Sequence, residues 1–242
     1  MSHAILPAQA SDLQELTALQ FLAFAPDPSH GIFYPGLPSD SRVQARAAEK
    51  LLKQWRSTEG MRIVKCVERR TSFPSEGMRE EGERDERIVG FAYLVVHATE
   101  RTEAEWRVPP VVDSCSTEGR QDVAAQKIKV AFASMRWRLW AGQPHVAVGI
   151  IAVLPSCQRR GIGAQLVEWC VSVCEATGLP GYLTASPSGI GLYTRFGFRR
   201  VGEVVVKAEE WGGGENLVSV GMVHGRAPGE REVEREEGVI GV

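Results

Sequence analysis

The chain contains no Gly-Lys-Ser or Gly-Lys-Thr tripeptide, no complete Gly-x-Gly-x-x-Gly and no Cys-x-x-Cys pair. The first absence excludes a P-loop and the second a dinucleotide-binding turn, since each needs those residues to bring backbone against phosphate. The third leaves no zinc ribbon or dithiol redox motif. The five cysteines (Cys66, Cys115, Cys157, Cys170, Cys174) are odd in number and scattered through mostly apolar segments, as expected of reduced intracellular thiols. A basic, then apolar leader is missing from the N-terminus, and no run approaches the roughly 20 apolar residues of a membrane span. A formal net charge of -2 argues against general nucleic-acid binding. These absences together predict a soluble cytoplasmic protein with no metal, nucleic-acid or membrane partner.

What is present centres on one segment. Val146 to Val153 is a short, continuous apolar run rich in β-branched residues and closed by Pro155, the pattern of a buried strand. Beyond it, Ile162, Leu166, Trp169, Cys170 and Val173 recur at helical spacing until Gly178 and Pro180 stop the pattern. The turn between them reads Gln158-Arg159-Arg160-Gly161-Ile162-Gly163. Its glycines allow close backbone approach, the free N–H groups opening the helix attract an anion, and the arginines add positive charge. Strand, basic glycine turn and helix form a candidate diphosphate cradle, with the amides from Arg159 to Ala164 as its donors.

A second segment lies one helix downstream. Gly181 to Ala185 reads as another buried strand, followed by Ser186-Pro-Ser-Gly-Ile-Gly-Leu-Tyr193-Thr-Arg-Phe-Gly197-Phe198. The Gln-x-x-Gly-x-Gly turn resembles the acetyl-CoA-binding motif of the GCN5-related N-acetyltransferases (GNAT superfamily), and Tyr193, Gly197 and Phe198 match that family's later motif. Ser186 and Gly189 stand where the family often has Asn and Ala. The resemblance implies an α+β, three-layer fold: a mixed, mostly antiparallel sheet flanked by helices, with a splayed parallel strand pair that binds acyl-CoA. It further implies acetyl-CoA as cosubstrate and an amine acceptor as partner. Coenzyme contacts are implied at Val153, Gln158, Arg159, Arg160, Gly161, Ile162, Gly163, Ala164 and Ser186. The Val153 amide would polarise the thioester carbonyl, and Tyr193 would protonate the departing thiolate. Only one of the paired arginines need face the pyrophosphate.

The remaining chain predicts one elaborated domain over residues 1–224, with inserts at about 69–87 and 97–145. A strand near His3 to Leu6 precedes a helix opened by a capping box at Ser11, with Leu13, Leu16, Leu19 and Leu22 on one face. The Pro-rich linker from Ala25 to Pro38 reads either as the wall of a cleft or as an anchored surface turn. A helix follows from about Asp40 to Trp55, with Val43, Ala47 and Leu51 inward. Strands are expected at Arg62 to Glu68 and Ile88 to Val96, the second apolar on both faces and therefore central. The polar stretch between them reads as a mobile hairpin insert. Asp122 to Trp140 predicts an inserted helix whose Trp137 and Trp140 are packing residues. A hairpin of Val201 to Val206 and Leu217 to Val223 closes the domain, and the charged segment 225–242 reads as a disordered tail.

Acyl transfer also calls for a neutral amine, and here the residues offer little. No acidic side chain occurs between Val146 and Val153. His97 and His145 border that strand and titrate in a useful range, but neither carries further evidence of serving as base. The missing carboxylate keeps a second reading open, a non-catalytic acyl-CoA sensor or interaction module. Another acyl donor, or a hydroxyl acceptor, is equally compatible with the motifs.

Overall fold

A computed structural model describes residues 2–34, 39–69, 86–109, 120–211 and 215–229. In chain order its elements are β1 (Ser2–Pro7), α1 (Leu13–Phe24), α2 (Pro28–Phe33), α3 (Ser41–Ser57), β2 (Met61–Arg69), β3 (Glu86–His97), α4 (Glu103–Trp106) and α5 (Arg120–Trp140). Then come β4 (His145–Val153), α6 (Ile162–Thr177), β5 (Gly181–Ala185), α7 (Ile190–Arg195), β6 (Arg199–Val206), α8 (Ala208–Trp211) and β7 (Leu217–His224). The strands form one sheet in the order β1-β2-β3-β4-β5-β7-β6, antiparallel throughout except for β4 and β5. This is the mixed, mostly antiparallel sheet flanked by helices that the motifs imply.

β3 is central because both of its faces are apolar. Val89, Phe91, Ala92 and Leu94 are all fully buried, and α1 and α6 both pack on it. α1 opens differently from the expected Ser11 capping box. A short 3₁₀ turn over Ala10–Asp12 precedes it, and the Asp12 carboxylate accepts from the Gln9 N–H at 2.7 Å and from Lys65 Nζ at 2.8 Å. Leu13, Leu16 and Leu19 are buried as expected, but Leu22 is 48% exposed. Leu22 lies nine residues from Leu13, about two and a half helical turns, so it points away from the buried side. Phe21 takes the inward place.

The Pro-rich linker is helical in part. Pro28 opens α2, where its missing N–H costs no hydrogen bond; residues 35–38 lie outside the described residues. Asp40 then caps α3, accepting from the Arg42 N–H at 2.9 Å. β2 and β3 pair out to Arg69 opposite Glu86, and an ion pair of 2.8 Å closes their end. The mobility expected of the insert concerns mainly residues 70–85, outside the described residues.

The inserted helix α5 is a structural roof. Met135, Leu139 and Trp140 pack with Tyr182, Val201 and Val223, while Ala125 and Ile128 pack with Ile32, Val206 and Leu217. Trp140 is thus a packing residue, as its apolar surroundings in the sequence suggest. α4 lies in the first part of the 97–145 insert, and α8 lies within the connection of the closing hairpin. The tail does not begin at Gly225. Ala227 is buried beside Leu139, and the Gly229 N–H bonds the Leu139 carbonyl at 3.0 Å, so one small apolar side chain and one backbone bond hold 225–229 to α5. Residues 230–242 lie outside the described residues.

Candidate active site

The site originates in a strand pair that parts. β4 and β5 pair only at Val146 with Gly181 and Ala147 with Tyr182. Beyond Ala147 the two strands share no ladder, although β5 stays paired with β7 as far as Ala185. The departure coincides with a bulge: Tyr93 lies opposite Ile150 and Leu94 opposite Val148, leaving Gly149 as the extra residue. A bulge bends its strand and increases the local twist. A Cβ at Gly149 would come 1.9 Å from Cε2 of Tyr93, so only glycine passes beneath that ring. The backbone of β4 after the bulge therefore faces the gap without a strand partner on that side.

The cradle follows at the end of β4. The Leu154 N–H bonds the Val89 carbonyl at 2.9 Å, which anchors the strand end to β3. Pro155–Cys157 makes a 3₁₀ turn with Cys157 buried beneath it. Gln158 folds back, its Nε2 donating to the Val153 carbonyl at 3.2 Å, and thereby fixes the turn on the strand. Arg159 and Gly161 adopt positive φ, 62° and 84°. That reversal starts α6, whose first internal bond runs from the Gln165 N–H to the Gly161 carbonyl at 3.1 Å. Among the described residues the amides of Ile162, Gly163 and Ala164 meet no acceptor, so three donors converge at the positive end of a 16-residue helix. Such an end is suited to a phosphate group. The Ile162 side chain is buried core, so its amide is the part available to a ligand.

The two arginines have different surroundings. Arg160 donates to Glu68 on β2, and His3 approaches the same carboxylate at 3.5 Å. The guanidinium beside it holds the Glu68 carboxyl below the usual range. Arg159 is exposed and, among the described residues, has no ion-pair partner. Electrostatically, Arg159 is the freer of the two to meet a phosphate.

The second motif packs directly on the first. A Cβ at Gly163 would lie 3.3 Å from Cδ2 of Leu192 and 3.9 Å from Cγ2 of Val153, so cradle, strand end and α7 meet at this glycine. Ser186 holds the turn after β5 through its carbonyl, which accepts from the Gly189 N–H at 2.9 Å, while its hydroxyl lies 3.0 Å from that of Ser188. Gly189, where the family often carries Ala, lets the Tyr193 ring lean over the turn: a Cβ there would come 3.0 Å from Cε2. The ring meets Phe198 edge-on at 6.0 Å. Burial, and secondarily the Cys170 thiol, push the Tyr193 hydroxyl well above its ordinary value, so it keeps its proton. Among the described residues that hydroxyl makes no hydrogen bond.

His97 and His145 lie elsewhere. They face each other at the start of β4, with rings 4.8 Å apart, at the end of the strand opposite Val153. Eight strand residues at about 3.3 Å each separate His145 from Val153. His145 is fully buried, stacks on Trp140 at 4.3 Å, and shares a bond of 2.8 Å between Nδ1 and the Gln143 carbonyl. Neither histidine is placed to serve as the base, and the structure explains their presence as packing. Burial lowers His145 to about 3 and His97 to about 4, the latter with help from Arg101 and Arg136. Unfolded histidines regain their ordinary value of 6.5 and bind protons that the native state refuses. Stability is therefore expected to be full above pH 6.5 and to fall as pH drops toward 3 to 4. Urea midpoints across this range should show the decline, and His145→Phe should flatten it; an unchanged slope would remove His145 from this account.

Among the described residues no three His, Cys, Asp or Glu side chains converge as a metal-binding group, and no helix is long and apolar enough to cross a membrane. The residues that motif reading overlooks are Gly149 and Tyr93, which part the strands. Their signal is visible in retrospect, because a lone glycine within an apolar strand pattern marks a bulge or a close approach. The pairing of Glu68 with Arg160 spans distant segments and has no local signature.

A parallel pair that opens beside an unblocked helix N-terminus, inside a mostly antiparallel sheet, defines the N-acetyltransferase class of fold. The family model described as Acetyltransferase (GNAT) domain matches residues 121–200, which cover α5, the cradle, α6 and the tyrosine motif. Residues 121–200 thus carry a GNAT acetyltransferase domain. A curated relative named "Probable acyltransferase SID5", from Ajellomyces capsulatus, is 40% identical over 53 residues, 22% of this chain and 39% of that protein. The chain thus spans about two fifths of that relative's length. In fold the chain is similar to a structure from Corynebacterium glutamicum titled as histone acetyltransferase HPA2 and related acetyltransferase: TM-score 0.55, 20% identity, covering 94% of this chain and 98% of that one. It is also similar to a mosquito arylalkylamine N-acetyltransferase like 5b, with TM-score 0.56 and 14% identity, covering 92% and 99%.

Proposed function

We propose that this chain transfers acetyl from acetyl-CoA to a primary amine by direct attack within a ternary complex, residues 1–224 acting as one catalytic unit. The observation that carries the reading is the parting of β4 from β5 after Ala147, beside the three acceptor-free amides of α6. A diphosphate fits those amides and the exposed Arg159. The pantetheine arm would run along the unpaired edge of β4, with the Val153 amide and its neighbours donating to thioester and amide oxygens. A neutral amine attacks the thioester carbon, and the oxygen that gains charge is stabilised by backbone N–H groups already in place. As the carbon–sulfur bond breaks, Tyr193 supplies a proton or a hydrogen bond to the sulfur. With no acid on β4 and both histidines at its far end, the amine loses its proton to water, through a water chain that backbone carbonyls orient. The rate should therefore rise with pH as the acceptor deprotonates.

That same lack of a base favours a second reading, an acyl-CoA-binding module without turnover. A panel of amines assayed for free coenzyme A and for acetylated product separates the two. The transferase reading expects product of added acetyl mass with at least one amine. Stabilisation by acetyl-CoA with no thiol release across the panel would establish the binding module instead.

A further inference from the structure

The gap between β4 and β5 has two faces, and one of them is closed. Val148 and Ile151 turn into the apolar cluster of Val167 on α6 and Leu183 on β5, which Leu192 and Tyr193 of α7 also join. An acceptor therefore has to arrive from the other face, and Tyr93 stands there. A Cβ at Gly90 would meet Ile162 and Leu166 of α6. Side chains alternate between the faces of a strand, so Phe91, Tyr93, Val95 and His97 share the face of β3 turned away from α6. His97 meets His145, whose ring stacks on Trp140, which places α5 on that same face.

The Tyr93 side chain crosses the neighbouring strand. A Cβ at Gly149 would collide first with Cε2 and Cζ of Tyr93 and only then with Cδ2, so the outer half of the ring lies on Gly149. The hydroxyl, carried by Cζ, is thereby directed from β3 across β4 toward the side that β5 has left. Gly149 is exposed and Tyr93 half-buried, which leaves the place open to a ligand. Among the described residues the hydroxyl makes no hydrogen bond, so both its acceptor and its donor capacity are unused by the fold. Burial, with a smaller effect from Tyr34, pushes the phenol up to about 12; at neutral pH it is a hydroxyl and not a base.

We infer that the Tyr93 hydroxyl positions the acceptor: it accepts a hydrogen bond from one N–H of the neutral amine and so turns the nitrogen lone pair toward the thioester carbon at the edge of β4. Tyr93 and Tyr193 then stand on opposite faces of one gap, the first at the attacking nitrogen and the second at the departing sulfur. A carboxylate in the place of Tyr93 would favour the ammonium form, which has no lone pair to attack with. A neutral phenol holds the amine without favouring its protonation. Glycine at 149 belongs to the same device, because any side chain there would displace the ring. The inference rests on the transferase reading.

The test compares Tyr93→Phe with the wild-type full chain, using an amine of the panel that yields product, as a function of pH. The variant should lose about tenfold in kcat/KM for the amine, as expected for one hydrogen bond. Acetyl-CoA affinity by calorimetry and the urea midpoint should stay as they are, since the hydroxyl bonds nothing within the fold and phenylalanine keeps the ring on Gly149. The pH at which the rate rises should also stay, because that rise belongs to the amine. A role confined to packing predicts no loss at all, so wild-type kcat/KM in the variant overturns the inference and leaves the transferase reading standing. A shifted pH midpoint overturns it by making the phenol a base, and lost acetyl-CoA affinity does so by assigning Tyr93 to the donor. If the wild-type chain acetylates no amine of the panel, the transferase reading itself fails and the inference falls with it.

Discussion

Replacing Tyr193 by Phe should lower kcat by about 10²–10⁴, the usual contribution of a positioned acid, while leaving acetyl-CoA affinity within about twofold. The substitution removes one oxygen and leaves the ring. Packing against Phe198 and over Gly189 depends on that ring, so α7 and the turn before it should keep their geometry. Burial holds the proton on the hydroxyl through the whole physiological range. For this reason the wild-type rate should show no descending alkaline limb from Tyr193, only the rise set by the amine. A hydroxyl so placed has its largest effect as charge collects on sulfur, and little before, which is why kcat should fall and KM for the coenzyme should not. Initial rates by thiol release, with coenzyme affinity by calorimetry, check both halves. A variant with wild-type kcat would remove Tyr193 from the chemistry; one that no longer binds acetyl-CoA would make it a structural residue.

The elements that carry the candidate donor site are legible because their determinants are local. Pro155, Gly161 and the periodicity from Ile162 to Val173 dictate strand end, turn and helix within twenty-odd residues, and α6 forms where that pattern predicts. The Tyr193 motif is equally local, and it is readable through resemblance. What escaped depends on contacts between distant segments. Leu22 shares its residue type with the buried leucines of α1, and only the helical angle turns it to solvent. Ala227 sits in a charged stretch with no periodic pattern, yet α5 happens to offer it a place. Arg160 and Arg159 are indistinguishable in sequence and diverge only because β2 brings Glu68 beside one of them. The histidines flanking β4 have a base's chemistry, but the register of the strand pair, which no composition reveals, fixes them at the end away from Val153.

Gly161 should be the position where the cradle is most sensitive to a single substitution. Its φ of 84° is one that residues bearing a Cβ resist, at a cost of about 1–2 kcal/mol. The space around it is open, with no atom within 4 Å of where a Cβ would stand, so the penalty for Gly161→Ala is conformational and not a collision. The chain can meet it in two ways. If the turn keeps its shape, the native state loses about 1–2 kcal/mol and the amides stay in place. If the turn relaxes, the fold escapes the strain and the amides of Ile162, Gly163 and Ala164 move from the phosphate instead. The second route is the easier one, because Gln158 secures only the start of the turn and nothing packs on Gly161 itself. Acetyl-CoA affinity should accordingly weaken about tenfold for Gly161→Ala, the equivalent of about 1.4 kcal/mol. For Gly161→Val it should weaken by up to about 100-fold, since a β-branched residue at positive φ is a more severe outlier. Binding by calorimetry, set against the urea midpoint of each variant, separates the routes: lost affinity with retained stability means that the turn relaxed. Lost stability with retained affinity would show a cradle rigid enough to store the strain, and loss of neither would deny the α6 amides their place in coenzyme binding.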